Sequence, residues 1–503
     1  MVRKGVQAIM AKQMGREPSV LELAYKTMSS KEATLTTYLI KSLPEIGEET
    51  WPKIRAYDAP LRQRSINSIR HHMVGIFWVL AINRFVHDEL LHVKVELADN
   101  GLTHYTLVRL IEEAVFSRVH ASSLELLIDA ANDAYTQHLL PQITAGIWER
   151  MGNAALPVAC ARFAKNLRQL LLQPRLDTAK PILAVDPGYA NGLKLAIIAP
   201  DNKLLKNGLG HLTSYELVLE YGVKFVALGN GCGCRDAEQL LVHLLALPEM
   251  RQLGTVYSIV REHGSSVYSV SPLARQEFPD IDPIYLSAVS IGRRLLDPLS
   301  ELVKVPPRHL GVGVYQHDVP LELLDAKLDE VVEECVSLVG VNLNTASLHL
   351  LQRVSGLNAA KAAAILALRD KLGGQFRSRE QLKAVLDDNS FRQAAGFLRV
   401  LPGEGLEGDW NVLDATAVHP ESYEEAGRLL EELGMYLADI GGPRICSLEE
   451  EQWEKAGRKL GLGEVWGGAF RLEQGVRVGR ALLAAGQWRF CPLLAEEEAI
   501  EGW

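Results

Sequence analysis

Cysteine is scarce in this chain: six in 503 residues, with Cys160, Cys335, Cys446 and Cys491 scattered far apart. That scarcity excludes a disulfide-stapled secreted scaffold and favours a reducing compartment. The expected location is intracellular: cytoplasm in a prokaryote, nucleus or cytoplasm in a eukaryote. Long apolar runs are missing as well. A bilayer span needs ~20 apolar residues, and the longest run, Met73 to Ile82, has ten. The opening residues show no apolar signal core followed by a small-residue cleavage site. Nor is there an excess of positive charge. Lys and Arg total 53 against 62 Asp and Glu, a formal net of −9. This excludes a uniformly basic nucleic-acid coat protein but leaves room for a local basic patch.

What is present is globular. Apolar residues make up 48% and charged residues 23%, and at about 150 residues per domain the length suggests three or four domains. Residues 1–178 read mostly helical, with Ser19 and Glu22 as a capping box and helical spacing over 122–171. Val93 to Glu96 alternates like a strand. From Pro181 the pattern changes. Short apolar runs at 182–185, 193–199, 223–228 and 255–260 alternate with helical stretches, one preceded by a capping-box pattern at Thr213–Glu216; Ser266–Val270 closes the alternation. An opening hairpin followed by βα units suits a ribonuclease-H-like sheet better than a Rossmann one. Residues 322–400 return to helix, with a capping box at Ser378–Gln381. Residues 401–412 read as a linker, and helices are expected at 420–434 and 448–460, the second opened by Ser447 and Glu450.

Charge is segregated. Residues 341–400 hold nine Lys/Arg and four Asp/Glu, a net of +5, whereas residues 401–503 hold nine and twenty, a net of −11. A basic helical module before an acidic section suits phosphate binding.

The sharpest local signal is Val354-Ser355-Gly356-Leu357-Asn358 between two helical segments. Gly356 suits a positive φ, and Asn358 is the next best residue for that region. The following helix would point its free N–H groups outward and form an anion site for a DNA or RNA phosphate. Lys361 in its first turn adds a charge. Such a grip holds backbone and reads no bases; a plain αα-hairpin without ligand is the alternative.

Asp186 ends the first apolar run of the sheet, where a ribonuclease-H-like nuclease holds a catalytic metal. Two-metal cleavage needs several converging carboxylates. The expected middle position, after 223–228, reads Gly229-Asn230-Gly231, and Asp280 and Asp282 are the candidates for a late acid. Cys232 and Cys234 are too close together and too isolated for an ordinary zinc site. His317-Asp318 reads as a structural turn rather than an acid/base pair, because no nucleophile adjoins it.

At these residues the chain resembles the Tex family of transcription accessory proteins, whose architecture is shared by a eukaryotic elongation factor and histone chaperone. The resemblance is carried by LAVDPG at 183–188, EFPDID at 277–282, YQHDV at 315–319, RVSGLN at 353–358, AGFLR at 395–399 and LDATAVHPESY at 413–423, among others, over residues 75–440. It implies a mainly α, multidomain chain with one α/β ribonuclease-H-like (YqgF) domain and helix-hairpin-helix motifs. The implied order is a divergent N-terminal helical region at 1–74, a helical scaffold at 75–178, the YqgF domain at 179–309, tandem helix-hairpin-helix motifs at 310–400 and an acidic helical region at 401–503. The YqgF domain of the family is regarded as a nuclease relic, and Asn230 at the middle-acid position agrees with that. Asp186 and Asp282 are then relic positions and no enzyme activity, cofactor or metal is expected. Where the family's second hairpin carries Gly-Pro-Lys, this chain has Leu386-Asp387-Asp388-Asn389-Ser390, whose carboxylates would repel a phosphate. After residue 440 no S1 domain is read.

The implied function is a non-catalytic nucleic-acid-binding scaffold around transcription. Ser355, Gly356, Leu357, Asn358 and Lys361, with Arg377 and Arg379 nearby, would hold RNA or DNA backbone. RNA polymerase or another transcription protein is a further partner, and no membrane is involved. The alternatives are a protein-docking core and a metal-dependent nuclease using Asp186 and Asp282 with Mg²⁺.

Overall fold

The computed structural model describes residues 2–16, 33–39, 69–70, 76–87, 91–97, 124–176, 178–189, 192–401, 410–440 and 443–446, with isolated positions up to Leu460. The capping boxes expected at Ser19–Glu22 and Ser447–Glu450, most of the 401–412 linker and the section where an S1 domain was sought lie outside those residues. Two compact units form: residues 1–163 with 313–324, and residues 164–312 with 325–503.

The first unit holds helices α1 (Val2–Met14), α2 (Ile76–His87) and α3 (Leu124–Asp133). A π-helical stretch at Ala134–Leu139 joins α3 to α4 (Leu140–Leu171), so the helical spacing read over 122–171 is borne out. Its core gathers Ala11, Met14, Ile82, Leu127, Ala130, Leu139 and Ile143. A three-stranded antiparallel sheet, ordered β2-β1-β3, is built from β1 (Ala33–Leu39), β2 (Ile69–Arg70) and β3 (Leu91–Leu97). The strand at Val93–Glu96 was legible in its alternation. β1 was not: it falls in the region read as helical, although ATLTTYL holds three strand-forming Thr and a Tyr.

The second unit is built around a five-stranded sheet of order β6-β5-β4-β7-β8. Its strands are β4 (Ile182–Asp186), β5 (Lys194–Ile198), β6 (Leu204–Leu209), β7 (Phe225–Gly229) and β8 (Val256–Val260). β4–β5 and β5–β6 pair antiparallel, while β4–β7 and β7–β8 pair parallel. This is the hairpin-then-βα order that the apolar runs implied. Ile182 to Val185 are fully buried, as a central strand covered on both faces requires. Helices α5 (His211–Tyr221) and α6 (Cys234–Leu245) are the crossovers, α7 (Ser265–Ser269) follows β8, and α8 (Pro283–Leu296) packs on β4 and β5. Gly292 makes that packing possible, since a Cβ there would come within 2.8 Å of Ala184 Cβ.

One local expectation is corrected. Thr213–Glu216 does not open a helix: α5 begins at His211 behind Gly210, whose φ of 95° only glycine adopts readily, and Ser214 bonds back to the Gly210 carbonyl at 3.2 Å. Ser266–Val270, which closes the β/α alternation, falls largely within α7.

Beyond the sheet run α9 (Leu321–Val339), α10 (Leu348–Leu351), α11 (Ala359–Lys371), α12 (Asp388–Ala394) and α13 (Tyr423–Glu432). Two-residue strands β9 (Val341–Asn342) and β10 (Leu398–Arg399) pair parallel and tie the ends of this module together. Ser378 and Gln381 form the expected reciprocal capping box, though the turn they open is a 3₁₀ helix, Arg379–Ala384.

Candidate nucleic-acid interface and the sheet-edge cleft

The hairpin between α10 and α11 reverses at Gly356, with φ at 85°. The turn closes with the Leu357 amide donating to the Val354 carbonyl at 3.1 Å. A Cβ on Gly356 would sit 2.7 Å from Gln393 Cβ on α12, so both the backbone and the space demand glycine. Asn358 departs from expectation. It is extended (φ −117°, ψ 178°) rather than left-handed, and is the N-cap of α11. Its side chain accepts from the Lys361 amide at 2.9 Å. That leaves the amides of Ala359 and Ala360, the first two of the helix, with no intrahelical acceptor. Both residues are exposed, as are Ser355 and Asn358. The geometry is that of an anion site: aligned donors at the positive end of a 13-residue helix.

The basic side chains are placed differently from the sequence reading. Lys361 does not stand free: its ammonium lies 3.0 Å from Asp387 Oδ1 and also contacts Ser390 Oγ. Asp387 caps α12, accepting from the Ser390 amide at 3.2 Å and its hydroxyl at 2.8 Å. Those bonds and the nearby ammonium hold its carboxyl down to about 2. Arg377 is exposed. Arg379 is no phosphate ligand, because it is wholly buried. Its guanidinium donates to the Val418 carbonyl at 2.6 Å, to Tyr423 Oη at 3.2 Å and to the Thr416 carbonyl, so it stitches the hairpin module to the segment before α13.

The second feature is a cleft of about 740 Å³ at the carboxyl ends of β4, β7 and β8. Asp186 is buried there, with Lys194 Nζ at 2.9 Å from Oδ2 and the Ser287 hydroxyl from α8 on the same oxygen. Asn230 follows β7 and accepts the Glu262 amide at 3.0 Å. Glu262, after β8, brings a second carboxylate to the cleft. Burial and then the neighbouring Asp186 charge push its carboxyl above the usual range. Asp282 is not part of this constellation. It is exposed and caps α8, accepting from the Ile284 amide at 2.9 Å, while Asp280 is exposed in a turn. Ser287 faces Asp186 where a late acid would be needed.

These groups do not fit a two-metal site. Two carboxylates converge, one already neutralised by an ammonium, and the other positions are an amide and a hydroxyl. Among the described residues no cluster of three or more His, Cys, Asp or Glu could hold a metal ion. Cys232 and Cys234 are free thiols, the first on the loop after β7 and the second at the start of α6. In the first unit Arg84 clamps both carboxylate oxygens of Asp318.

Glu262, Lys194 and Ser287 were missed by sequence reasoning. Lys194 could have been found by pairing the β4–β5 hairpin, which sets it opposite Asp186. Glu262 sits just past a parallel strand, on the sheet edge where ligands gather in such folds.

Comparison with known proteins bears on both features. The Tex protein YqgF-like domain matches residues 180–296, a helix-hairpin-helix motif matches 336–399 and an HHH domain matches 411–464. Over 310 residues the chain is 44% identical to the transcriptional accessory protein Tex of Neisseria gonorrhoeae, covering 59% of this chain and 39% of that protein. The chain carries a Tex-type YqgF domain followed by helix-hairpin-helix motifs. It is also 33% identical to the human S1 RNA-binding domain-containing protein 1 over 91% of its own length and 51% of the relative's. Protein YdcI of Bacillus subtilis is 34% identical over 92% of the chain and 63% of the relative. The matches therefore span 39% to 63% of these longer relatives. The HHH match at 411–464 extends the hairpin architecture past the 310–400 module, into the part read only as acidic helix. No described helix is long and apolar enough to cross a membrane.

Proposed function

We propose that this chain is a non-catalytic scaffold that grips nucleic-acid backbone without reading bases and works beside the transcription machinery. The observation that carries the reading is the open N-terminus of α11. Glycine-enforced reversal at Gly356 and capping by Asn358 leave the Ala359 and Ala360 amides without an intrahelical acceptor on an exposed turn. The helix-hairpin-helix match and the names of the transcriptional and RNA-binding relatives support it. The non-catalytic part is supported by the cleft, where Lys194 and Ser287 engage the carboxylate that a nuclease would give to metal. RNA polymerase or a similar transcription protein is the partner class proposed for the acidic C-terminal region.

Because the grip is on phosphates, binding to single-stranded RNA, single-stranded DNA and duplex DNA should weaken linearly in log salt. Fluorescence anisotropy at two or more salt concentrations tests this. Absence of binding at low salt overturns it. Incubation of labelled nucleic acid with the protein in Mg²⁺ or Mn²⁺ should leave the strand intact. Cleavage that Asp186→Ala abolishes would replace this reading with a nuclease.

A further inference from the structure

The Lys361 ammonium is the cation nearest the free amides of α11 in sequence, and it is taken. Asp387 Oδ1 holds it at 3.0 Å, and Ser390 Oγ is its second partner. The carboxylate comes from the N-cap of α12, the helix that packs against Gly356 through Gln393. One acidic residue therefore sits beside the phosphate-gripping turn and occupies the side chain that would complete it. The pair is half-exposed, with Lys361 at 31% and Asp387 at 57% side-chain exposure, and such pairs are weak enough for a competing anion to open. Resting on the phosphate-gripping reading of α11, we infer that Asp387 is an intramolecular competitor for the nucleic-acid phosphate: it neutralises Lys361 in the free protein, and the phosphodiester must displace it to recruit that charge.

Three consequences separate this from ordinary charge repulsion. Asn is as good an N-cap as Asp, so Asp387→Asn keeps α12 while removing the charge. Asp388 is a second carboxylate, exposed and one residue further on, so Asp388→Asn reports the general effect of deleting a nearby carboxylate. Lys361→Met removes the cation at issue. Interaction between the substitutions isolates the pair.

The experiment is anisotropy of the full chain with a fluorescent single-stranded RNA and a duplex DNA, across a salt series. Expected is a several-fold tighter Kd for Asp387→Asn and less than two-fold for Asp388→Asn. The Asp387→Asn salt slope should steepen by about 0.7–0.9, one further phosphate contact. Lys361→Met alone should cost less than two-fold, but in the Asp387→Asn background it should erase the gain. Equal gains from the two Asn variants, or a gain that survives Lys361→Met, would overturn the competitor role while leaving the phosphate grip standing. A wild type and variants that all fail to bind at low salt would overturn both.

Discussion

Lys194 stands opposite Asp186 across the β4–β5 ladder, and its ammonium reaches the buried carboxylate at 2.9 Å. A cation supplied by the chain thus sits on the oxygen that ribonuclease-H-like chemistry would give to a metal. Asp186 in turn depends on Lys194, since among the described residues only Ser287 remains to stabilise the same oxygen. Lys194→Met should therefore cost about 3 kcal/mol, the penalty of a buried charge left unpaired. Adding Asp186→Leu to Lys194→Met should recover most of that loss. Chemical denaturation of the three proteins measures it. A single variant as stable as wild type would contradict the pairing.

Glu262 shares the cleft and carries a pH signature. Its carboxyl is raised in the folded chain, first by burial and then by Asp186. As pH rises the unfolded chain gives up this proton first. Stability therefore falls as pH climbs from the ordinary glutamate value through the raised folded one. Glu262→Gln should melt higher than wild type at pH 7, with the advantage shrinking toward pH 4. A thermal-melting series over that range tests it; a variant that melts lower at pH 7 contradicts it.

Arg379 is a core residue, not a phosphate ligand. Arg379→Met should cost about 3–5 kcal/mol, because it leaves the Thr416 and Val418 carbonyls and the Asp414 carboxylate without their buried partner. Nucleic-acid affinity per folded molecule should stay within two-fold. A stable variant with weakened binding would return Arg379 to the interface.

Gly356 should tolerate no side chain. Gly356→Ala meets both a φ of 85° and a 2.7 Å approach to Gln393 Cβ. The backbone term alone is of order 1–3 kcal/mol. Hydrogen exchange should report loosening of the 354–361 hairpin in this variant. Unchanged protection would contradict the tight packing of α12 on the turn.

Strands β4, β5 and β7 were legible because they are short, largely buried apolar runs, whereas β6, partly exposed along LLKNGL, left no such mark. The hairpin at 354–358 was legible because a left-handed glycine leaves a local mark. What escaped were non-local partners. Ser378–Gln381 was correctly read as a capping box, but its tertiary neighbours Thr416, Val418 and Tyr423 lie 37 to 44 residues on and draw Arg379 inward. Asn358 was expected in the left-handed region, yet its side chain does more as an N-cap, and a cap requires extended backbone. Lys361 was read as free because Asp387 meets it only once α12 folds back onto the turn. The same distance in sequence hid Ser287, which lies 101 residues from Asp186.

The central claim is that the open N-terminus of α11 holds phosphate, and Ala360→Glu tests it most directly. Ala360 is exposed in the first turn. A carboxylate there favours the helix dipole by about 0.3–1 kcal/mol, yet competes with phosphate for the same amides. Opposite signs are expected: equal or higher stability in denaturant, and nucleic-acid affinity lowered at least five-fold at low salt. A variant that is as stable as wild type and binds RNA and DNA equally well would contradict it.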